Sequence, residues 1–563
     1  MSLINTGGQT LAHNMRMMRQ VLKYGLGASF FSFIMTSLLF LHNLNFIFCG
    51  KLFFYRFYSF IAKIIGLSHI DIDSNFVRSI GLLASGKTQV IAIEKLDTAI
   101  LPLYFSLLEI VLESFWVSFA VSIVVFGLFL LMFFVRGKRI KRIRHISGRK
   151  LISPTYLSLK IKLFRKASNL KLGPLNLLKN SETKHFLVTG GTGSGKTNCL
   201  NHILQQIQKR GERAIIVDTE GSFVSRFHRE GVDTILSPFD KRSKSWSPWQ
   251  EINSDKDYDS IAEGFIPNTY SENEAFWRNS AQVLLSALLK KLSSSNKISD
   301  LTRWILNEPL ENLCAFLEGT DAAGHIDIKS ERTASSIRSV AAQYIKCLTH
   351  LKDSEDPFSI KKWLQSEDSS WLFISCKTEE LTSIRPLLSC WISVSIDGLL
   401  SMGQDLDRRV WFILDEIPSL NRVSSLDRLV TLGRKYGACS LLSLQSPSQM
   451  DAIYGSNITK TIIGNCATRI VFSDNDPEVA HRISKAFGEC EIEEPQEGIS
   501  YGANEIRDGV NLSSVKKLKP VVSANSIQSL KENEAYIKLP GNWPITKVHL
   551  KVFKNNTLKQ KNK

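Results

Sequence analysis

Two stretches of the sequence match the pattern GxxxxGK[ST], in which a glycine-rich loop wraps the phosphates of a nucleotide. The stretch Gly190–Thr197 reads GGTGSGKT and carries glycines at 190, 191, 193 and 195. Such glycines let successive backbone N–H groups turn toward one anion. The apolar run His185–Thr189 predicts a strand before the loop, and residues 198–210 have the apolar spacing of a helix after it. This order of strand, loop and helix predicts a phosphate loop rather than an ordinary glycine-rich turn.

The side chains of this loop suggest separate roles. We expect Lys196 to contact the β- and γ-phosphates and the Thr197 hydroxyl to hold Mg²⁺. The predicted nucleotide-binding residues are Gly190, Gly191, Thr192, Gly193, Ser194, Gly195, Lys196 and Thr197. The other match, Gly81–Thr88, reads GLLASGKT and has leucines and an alanine inside its loop. We do not expect that second stretch to bind a nucleotide.

A pair of carboxylates could supply the groups that nucleotide hydrolysis requires in addition to the phosphate-binding loop. The apolar run Val410–Leu414 predicts a buried parallel strand, and Asp415 and Glu416 follow it directly. In a parallel sheet these carboxylates would lie beside the phosphate loop. We expect Asp415 to bind Mg²⁺ and Glu416 to act as general base toward the attacking water. The alternative is a pair of carboxylates that caps a strand ahead of Pro418, and the loop upstream favours the catalytic interpretation.

A further strand is predicted at 439–444, and it ends at Gln445. A polar side chain at the tip of a strand beside the nucleotide can sense the γ-phosphate. The spacing alone fits an ordinary strand-end glutamine equally well, so both interpretations remain open at this point.

Two uncharged windows near the N-terminus predict membrane-spanning helices. About 20 apolar residues cross the hydrocarbon core, and we expect spans at about 26–48 and 114–135. Basic residues precede the first window at Arg16, Arg19 and Lys23, and eight more follow the second between 136 and 150. By the positive-inside rule both flanks, and therefore both termini, are expected in the cytoplasm, with residues 50–110 facing outward.

The overall charge indicates an anionic partner but does not identify it. The chain of 563 residues carries 70 Lys and Arg against 53 Asp and Glu, a formal net charge of +17. Nucleic acid and phospholipid headgroups both fit this excess, and the basic cluster at 136–150 assigns much of it to the membrane. The nine cysteines form no CxxC pair, which excludes a disulfide framework and a zinc site of that type.

The order of predicted elements indicates an α/β core with a helical insertion. Strand and helix alternate from 186 to 238, strands disappear between about 270 and 360, and strand signal returns at Trp371–Ser375. Arg332, Arg338 and Lys346 in the insertion are candidates for DNA contact, although solvated helix faces explain them better. We expect Phe276 and Trp277 to lie in the core rather than to stack on bases.

Taken in order, several of these stretches resemble the type IV secretion coupling proteins, specifically the TraD-like conjugative branch of the FtsK/HerA ATPase class. The matching segments cover most of residues 180–550 and include GTGSGKT, FWRNSAQVLL, DEIPSL, LGRKYG, LQS and AYIKLPGNWPITKVHL. The resemblance implies a RecA-like P-loop nucleotide-binding domain of α/β class with an all-α insertion, preceded by two transmembrane helices. The implied domains are a membrane domain (1–150), the nucleotide-binding domain (151–269 and 361–550), the insertion (270–360) and a basic tail (551–563).

The same resemblance implies a function and further site residues. The family consists of ring-shaped, hexameric inner-membrane ATPases that use ATP and Mg²⁺ to deliver a relaxase-bound DNA strand to the secretion channel. By motif position, Arg434 corresponds to the arginine finger that reaches a neighbouring subunit, and Gln445 to the γ-phosphate sensor. Asp218 matches a family position near the site without a defined role. Contacts to DNA, single- or double-stranded, are expected to be independent of sequence.

Two other classes remain as alternatives. A chromosomal DNA translocase of the FtsK type would typically have more spans and a sequence-reading winged-helix domain. A membrane receptor that recruits protein cargo without motor activity would bind its cargo without stimulation by DNA. Stimulation of ATP hydrolysis by DNA distinguishes the motor from the receptor.

Overall fold

The structure is a computed structural model that describes residues 2–42, 44–82, 86–140, 143–269, 272–500 and 509–554. The chain divides into two compact units. The first comprises Met1–His145 with Ile492–Lys517, and the second comprises Ile146–Glu491 with Leu518–Lys563. The expected division placed residues 492–517 in the nucleotide-binding domain, whereas here they group with the N-terminal helices.

Helices are present in both units. Within the described ranges they are α1 (Ser2–Leu41), α2 (Phe46–Ile65), α3 (Ser74–Ser79), α4 (Ile93–Ile140), α5 (Pro154–Leu163), α6 (Lys196–Lys209), α7 (Ser222–Phe227), α8 (Asp255–Phe265), α9 (Glu272–Lys291), α10 (Ile298–Leu306), α11 (Leu310–Leu317), α12 (Glu331–Ile345), α13 (Ile360–Gln365), α14 (Leu381–Ser401), α15 (Leu426–Leu432), α16 (Pro447–Tyr454), α17 (Ser456–Asn465), α18 (Pro477–Phe487) and α19 (Ala524–Gln528).

Most strands belong to one large sheet. In chain order they are β1 (His69–Asp73), β2 (Thr88–Ala92), β3 (Arg144–Gly148), β4 (Leu151–Ile152), β5 (Ala167–Leu172), β6 (Leu175–Leu178), β7 (Phe186–Thr189), β8 (Arg213–Asp218), β9 (Thr234–Leu236), β10 (Trp371–Ser375), β11 (Val410–Leu414), β12 (Ala438–Leu444), β13 (Thr468–Val471), β14 (Glu489–Ser500), β15 (Gly509–Pro520), β16 (Glu534–Lys538) and β17 (Ile545–His549). β1 pairs with β2, β5 with β6, and β15, β14 and β3 form a three-stranded sheet.

The first unit is built on two long helices that pack along each other. The Ser29 and Ser122 hydroxyls are 2.6 Å apart, and the rings of Phe33 and Phe115 lie edge to face at 5.6 Å. Among the described helices, α1 and α4 contain segments long and apolar enough to cross a membrane, Met15–Leu41 and Ile93–Arg139. Only 6% and 11% of the most apolar stretches are buried, unlike the core helices of a soluble protein. The expected first span, 26–48, extends past the end of α1 at Leu41 and into α2, which begins at Phe46.

The second unit is organised by a ten-stranded sheet of order β4-β17-β16-β13-β7-β12-β11-β8-β10-β9. From β13 to β9 all neighbouring strands are parallel, while β16 runs antiparallel to β13 and β17. Alternate residues of the central strands point to opposite faces. In β11, Phe412 packs into the core on one face, and Trp411 and Ile413 pack into the core on the other. The predicted α/β class with two apolar helices ahead of the sheet is confirmed.

The insertion between β9 and β10 is helical. In the described part of that interval no strand occurs, and α9 and α12 pack together over a shared apolar core. Trp277 packs against this core as expected, whereas Phe276 is 52% exposed. The stripe through Ala281, Leu284 and Leu288 has helical spacing that includes residue 277, whereas residue 276 lies about 100° around the helix from residue 277. The expectation that Phe276 is a core residue was therefore wrong.

The connectivity brings distant segments to one edge of the sheet. Because β7, β12, β11 and β8 are adjacent and parallel, the residues that follow each of them meet at the carboxyl edge. Those residues are the glycine-rich loop after β7, Gln445 after β12, Asp415 and Glu416 after β11, and Thr219 and Glu220 after β8. This edge is the place where open α/β sheets bind ligands.

Candidate functional site

The glycine-rich loop connects β7 to α6, as predicted, and close packing requires glycine at two of its positions. A Cβ on Gly190 would lie 2.7 Å from Cβ of Phe472, and a Cβ on Gly195 would lie 2.8 Å from Oδ1 of Asn533. Gly193 and Gly195 have φ of +73° and +113°, which L side chains rarely adopt. The loop is anchored where the Gly191 N–H donates to the Ser473 carbonyl at 2.8 Å.

Backbone donors remain available at the turn of the loop. Within the part of the chain that the structure describes, the N–H groups of Thr192, Gly193 and Gly195 have no acceptor. They precede the first turn of α6, whose N-terminal end carries partial positive charge. Ser194, by contrast, is turned inward, and its hydroxyl donates to the Gly191 carbonyl at 2.7 Å. This arrangement suits a phosphate group.

Lys196 begins α6 and is 8% exposed. Its Nζ donates to the carbonyls of Gly190 at 2.7 Å and Gly191 at 2.9 Å, so the ammonium lies over the loop. Burial lowers the pKa of Lys196, and the charges of Glu416 and Asp415 act in the opposite direction. The loop lysine and the carboxylate pair, 219 and 220 residues apart in sequence, therefore share one electrostatic environment.

The carboxylate pair lies at the end of buried β11. Burial raises the pKa of Asp415 to about 7, and the neighbouring charges of Glu220 and Glu416 add to the effect. Burial also raises the pKa of Glu416, while hydrogen bonds from the backbone and side chain of Gln445 oppose the rise. Carboxylates that repel one another in a buried site are favourable ligands for a cation.

Gln445 connects the carboxylates to the loop. It donates to Glu416, and its side-chain oxygen accepts a hydrogen bond from the Thr192 hydroxyl at 3.4 Å. Through these two contacts Gln445 can couple the carboxylate that follows β11 to the glycine-rich loop.

Asp218, which the family resemblance placed near the site, has a structural role. Asp218 ends β8 and is 1% exposed. Its carboxylate accepts hydrogen bonds from the N–H groups of Phe223 at 2.7 Å and Val224 at 2.9 Å, which caps α7. Burial raises the pKa of Asp218, and these backbone bonds oppose the rise.

The loop and the carboxylates line one cavity of about 500 Å³. Of the predicted residues, Thr192, Gly193, Gly195, Lys196, Thr197, Asp415, Glu416 and Gln445 line it, and Gly190, Gly191 and Ser194 form the body of the loop behind it. The lining also includes residues that the sequence analysis missed: Asn198, Asn201, Glu220, Arg226, Asn533 and Phe553.

Asn533 is the most informative of the missed residues. Its N–H donates to the Ser194 carbonyl at 3.0 Å, and its Oδ1 accepts from Asn198 Nδ2 at 2.8 Å. Its φ of +62° is a conformation in which asparagine is enriched, but neighbouring sequence gives no sign that it reaches the loop. It lies directly before β16 and supports the loop from that position.

The segment after β17 also closes over α6. The Lys551 carbonyl accepts from Asn198 at 3.1 Å and lies 2.7 Å from Nε2 of His202. The Phe553 N–H donates to Asn198 Oδ1 at 2.8 Å, and its ring packs on those of His202 and Phe227. The first residues of the predicted basic tail are therefore ordered against the site, while residues 555–563 lie outside the described ranges.

Arg434 does not line this cavity. It is exposed in a 3₁₀ turn, Gly433–Tyr436, which precedes β12 and so lies at the amino edge of the sheet. Burial lowers the pKa of His185 to about 4, and the nearby charge of Arg434 contributes. His185 immediately precedes β7, whereas the loop immediately follows it. The arginine and the cavity are thus at opposite edges of the same sheet.

The other GxxxxGK[ST] match has no such setting. Thr88 begins strand β2, and β2 pairs with β1, so the motif leads into a strand and not directly into a helix. Leu83, Ala84 and Ser85 lie outside the described residues.

The role of Gly195 can be tested by substitution. We expect Gly195→Ala to lower the free energy of unfolding of the second unit by about 1–3 kcal/mol more than Gly231→Ala and to weaken nucleotide binding. Both glycines have positive φ, but a Cβ on Gly231 meets nothing within 4 Å. Chemical denaturation and nucleotide titration of the two variants measure the difference. Equal behaviour of both variants would show that contact with Asn533 does not constrain the loop.

Comparison with known proteins now places this site in a family. A family model, described as the type IV secretion-system coupling protein DNA-binding domain, matches residues 169–551. The chain belongs to the type IV secretion-system coupling proteins. The resemblance inferred from the sequence motifs is confirmed, and the two alternative classes are not favoured.

This coupling protein has relatives in conjugation systems. It is 32% identical over 457 residues to the coupling protein TraD of Escherichia coli K12, which covers 78% of this chain and 64% of TraD. It is 27% identical over 303 residues to the conjugal transfer protein TraG of Agrobacterium fabrum C58, covering 50% of this chain and 45% of TraG. The chain therefore spans less than two-thirds of the length of either relative.

A solved structure of the same family resembles this coupling protein. The bacterial conjugative coupling protein TrwBdeltaN70 in its unbound form is 29% identical, with a TM-score of 0.67 over 73% of this chain and 95% of that one. TrwB in complex with ADP and Mg²⁺ matches with a TM-score of 0.66.

Proposed function

We propose that this coupling protein binds ATP with Mg²⁺ in the cavity at the carboxyl edge of its sheet and hydrolyses the ATP. The observation that carries the proposal is that the glycine-rich loop, Lys196, and the pair Asp415 and Glu416 line one cavity. The complexes of TrwB with ADP and Mg²⁺ and with a non-hydrolysable ATP analogue support it.

Each group of residues has a role in this proposal. The backbone of residues 190–197 binds the phosphates, and Lys196 stabilises negative charge on the β- and γ-phosphates. Glu416 accepts a proton from the attacking water, and its raised pKa makes the carboxylate a stronger base. Gln445, hydrogen-bonded to both Glu416 and Thr192, senses whether a γ-phosphate is present.

The residues also fit the magnesium ion that ATP requires. Thr197 and Asp415 line the same cavity, and the raised pKa of Asp415 arises from burial and neighbouring negative charges that a cation would compensate. No cluster of three or more His, Cys, Asp or Glu ligands occurs in the described ranges. Mg²⁺ commonly uses one or two protein ligands and the substrate phosphates. When bound, Mg²⁺ neutralises charge on the β- and γ-phosphate oxygens.

We further propose that the working form is a membrane-anchored homo-hexamer. The position of Arg434 at the edge away from its own cavity supports a finger that completes the cavity of a neighbouring subunit. α1 and α4 anchor the ring in the bacterial inner membrane, with both termini in the cytoplasm. We also propose the domain boundaries that the sequence predicts, at 150, 270, 360 and 550, between the membrane domain, the nucleotide-binding domain, the insertion and the tail.

The biological role proposed for this motor is delivery of DNA. ATP hydrolysis moves a relaxase-bound DNA strand from the relaxosome into the type IV secretion channel. The match to a model named for a DNA-binding domain supports this role. Contacts to phosphates, rather than to bases, would let any sequence pass.

The test is ATP hydrolysis by the full-length protein in liposomes, with and without single- and double-stranded DNA. We expect DNA to stimulate hydrolysis and the stimulation to weaken steeply as salt rises, because phosphate contacts release counterions. DNA of unrelated sequences should act alike. Hydrolysis that DNA does not change, together with binding of protein cargo, would instead favour a receptor without motor activity.

A further inference from the structure

Helix α2 presents an apolar face that the described part of the first unit leaves mostly exposed, apart from a contact between the rings of Phe53 and Tyr104 at 5.1 Å. Phe46, Phe53, Phe54, Phe57, Phe60 and Ile64, called here the aromatic face, are each 51–70% exposed. At 3.6 residues per turn these six positions fall within an arc of about 120° on the helix. Each is apolar, and none offers a hydrogen-bonding side chain.

The opposite side of α2 is buried, with Leu52 and Ala62 in an apolar core of the first unit, and ion pairs flank this contact. Lys51 pairs with Asp73 at 2.9 Å, and Arg56 pairs with Asp97 at 2.9 Å. The Ser59 hydroxyl donates to Asp97 at 2.6 Å. The cations of α2 are therefore satisfied on the side that faces β1 and α4, and the aromatic face is left for another occupant.

The chain places α2 beside the end of α1. Helix α1 ends at Leu41 and α2 begins at Phe46, where Asn45 caps it by accepting from the Phe48 N–H at 3.2 Å. Five residue steps reach at most about 18 Å. If α1 spans the bilayer, α2 must start in or near the headgroup layer.

Spanning and protein contact both fit α2 less well. Its three cations exclude it from the described segments that are apolar enough to cross a membrane, which lie in α1 and α4. Protein interfaces carry roughly one hydrogen bond per 100–200 Å², and the aromatic face can supply none from its side chains. An exposed phenylalanine-rich face flanked by basic residues is typical of helices that lie in the lipid–water interface.

We propose that α2 lies in the outer lipid–water interface, with the aromatic face inserted at the boundary of the acyl chains. The occupant of this face is thus phospholipid. The proposal depends on the membrane-spanning role proposed above for α1 and α4.

The test is photocrosslinking in the full-length protein in native membranes. Benzoylphenylalanine replaces Phe57 (64% exposed) in one variant and Val90 (63% exposed, on β2) in a control. A third variant carries the probe at Leu128 (60% exposed), within the apolar segment of α4. After irradiation, mass spectrometry identifies lipid or protein adducts on each probe.

We expect phospholipid adducts at position 57 in severalfold higher yield than at position 90, and adducts at position 128 as well. Lipid at 128 without an excess at 57 over 90 would overturn the proposal for α2 alone. A crosslink from 57 to a second copy of the chain or to another protein would also overturn it. The absence of lipid at both 57 and 128 would contradict the membrane-spanning role itself.

Discussion

Replacing Lys196 with alanine is expected to lower ATP turnover by about 10²- to 10³-fold, and to abolish DNA transfer in mating assays. The ammonium is buried beside the loop carbonyls and shares the cavity with Asp415 and Glu416. Without it, no cation of the loop would stabilise the charge that develops on the transferred phosphoryl group. Steady-state phosphate release by the full-length protein measures the loss.

The matched control is Lys87→Ala, which removes the equivalent lysine of the other GxxxxGK[ST] stretch. Because that stretch leads into β2 and not into a helix, turnover should remain at the wild-type level. Loss of activity in Lys87→Ala would indicate instead that the stretch Gly81–Thr88 binds a nucleotide. Persistence of DNA transfer in Lys196→Ala would show that the cavity described here is not the motor.

Replacing Arg434 with alanine should lower turnover by roughly 10³-fold or more, if it acts as an arginine finger. Within one subunit it is exposed at the amino edge of the sheet, remote from the cavity at the carboxyl edge. Its loss should therefore reduce hydrolysis without reducing nucleotide affinity in proportion. Lys435→Ala, an exposed cation in the same turn, serves as the control and should be active.

Mixing variants separates action in trans from action within one subunit. A subunit with Lys196→Ala still offers Arg434, and a subunit with Arg434→Ala still has an intact loop. Mixed assemblies should recover activity because some interfaces then combine both intact groups. If the mixture is as inactive as either variant alone, or if Arg434→Ala is fully active in assembled rings, the assignment in trans is wrong.

Local sequence signals predicted the elements that hold the site. The loop Gly190–Thr197 is flanked by β7 and α6, and the run before Asp415 is β11, because short apolar runs and glycine patterns carry their own structural meaning. The burial pattern of α9 was misjudged only at Phe276, where helical phase decides between two adjacent aromatic residues.

The features that escaped prediction depend on contacts between distant residues. Asn533 supports the loop from 335 residues beyond its partner Asn198, and a single sequence holds no record of that approach. The first window contains no charged residue through Asn45, so the absence of charge did not show that one helix ends at Leu41 and another begins at Phe46. The location of Arg434 likewise follows from strand order, which composition does not encode.

The support that Asn533, Lys551 and Phe553 give to the loop has a consequence for biosynthesis. A ribosome produces α1 and α4 hundreds of residues before it produces β16 and β17, and domains generally fold in the order of synthesis. A nascent chain can therefore enter the membrane while its glycine loop still lacks its last supporting contacts. The glycine-rich loop is therefore fully supported only after the final strands have been translated.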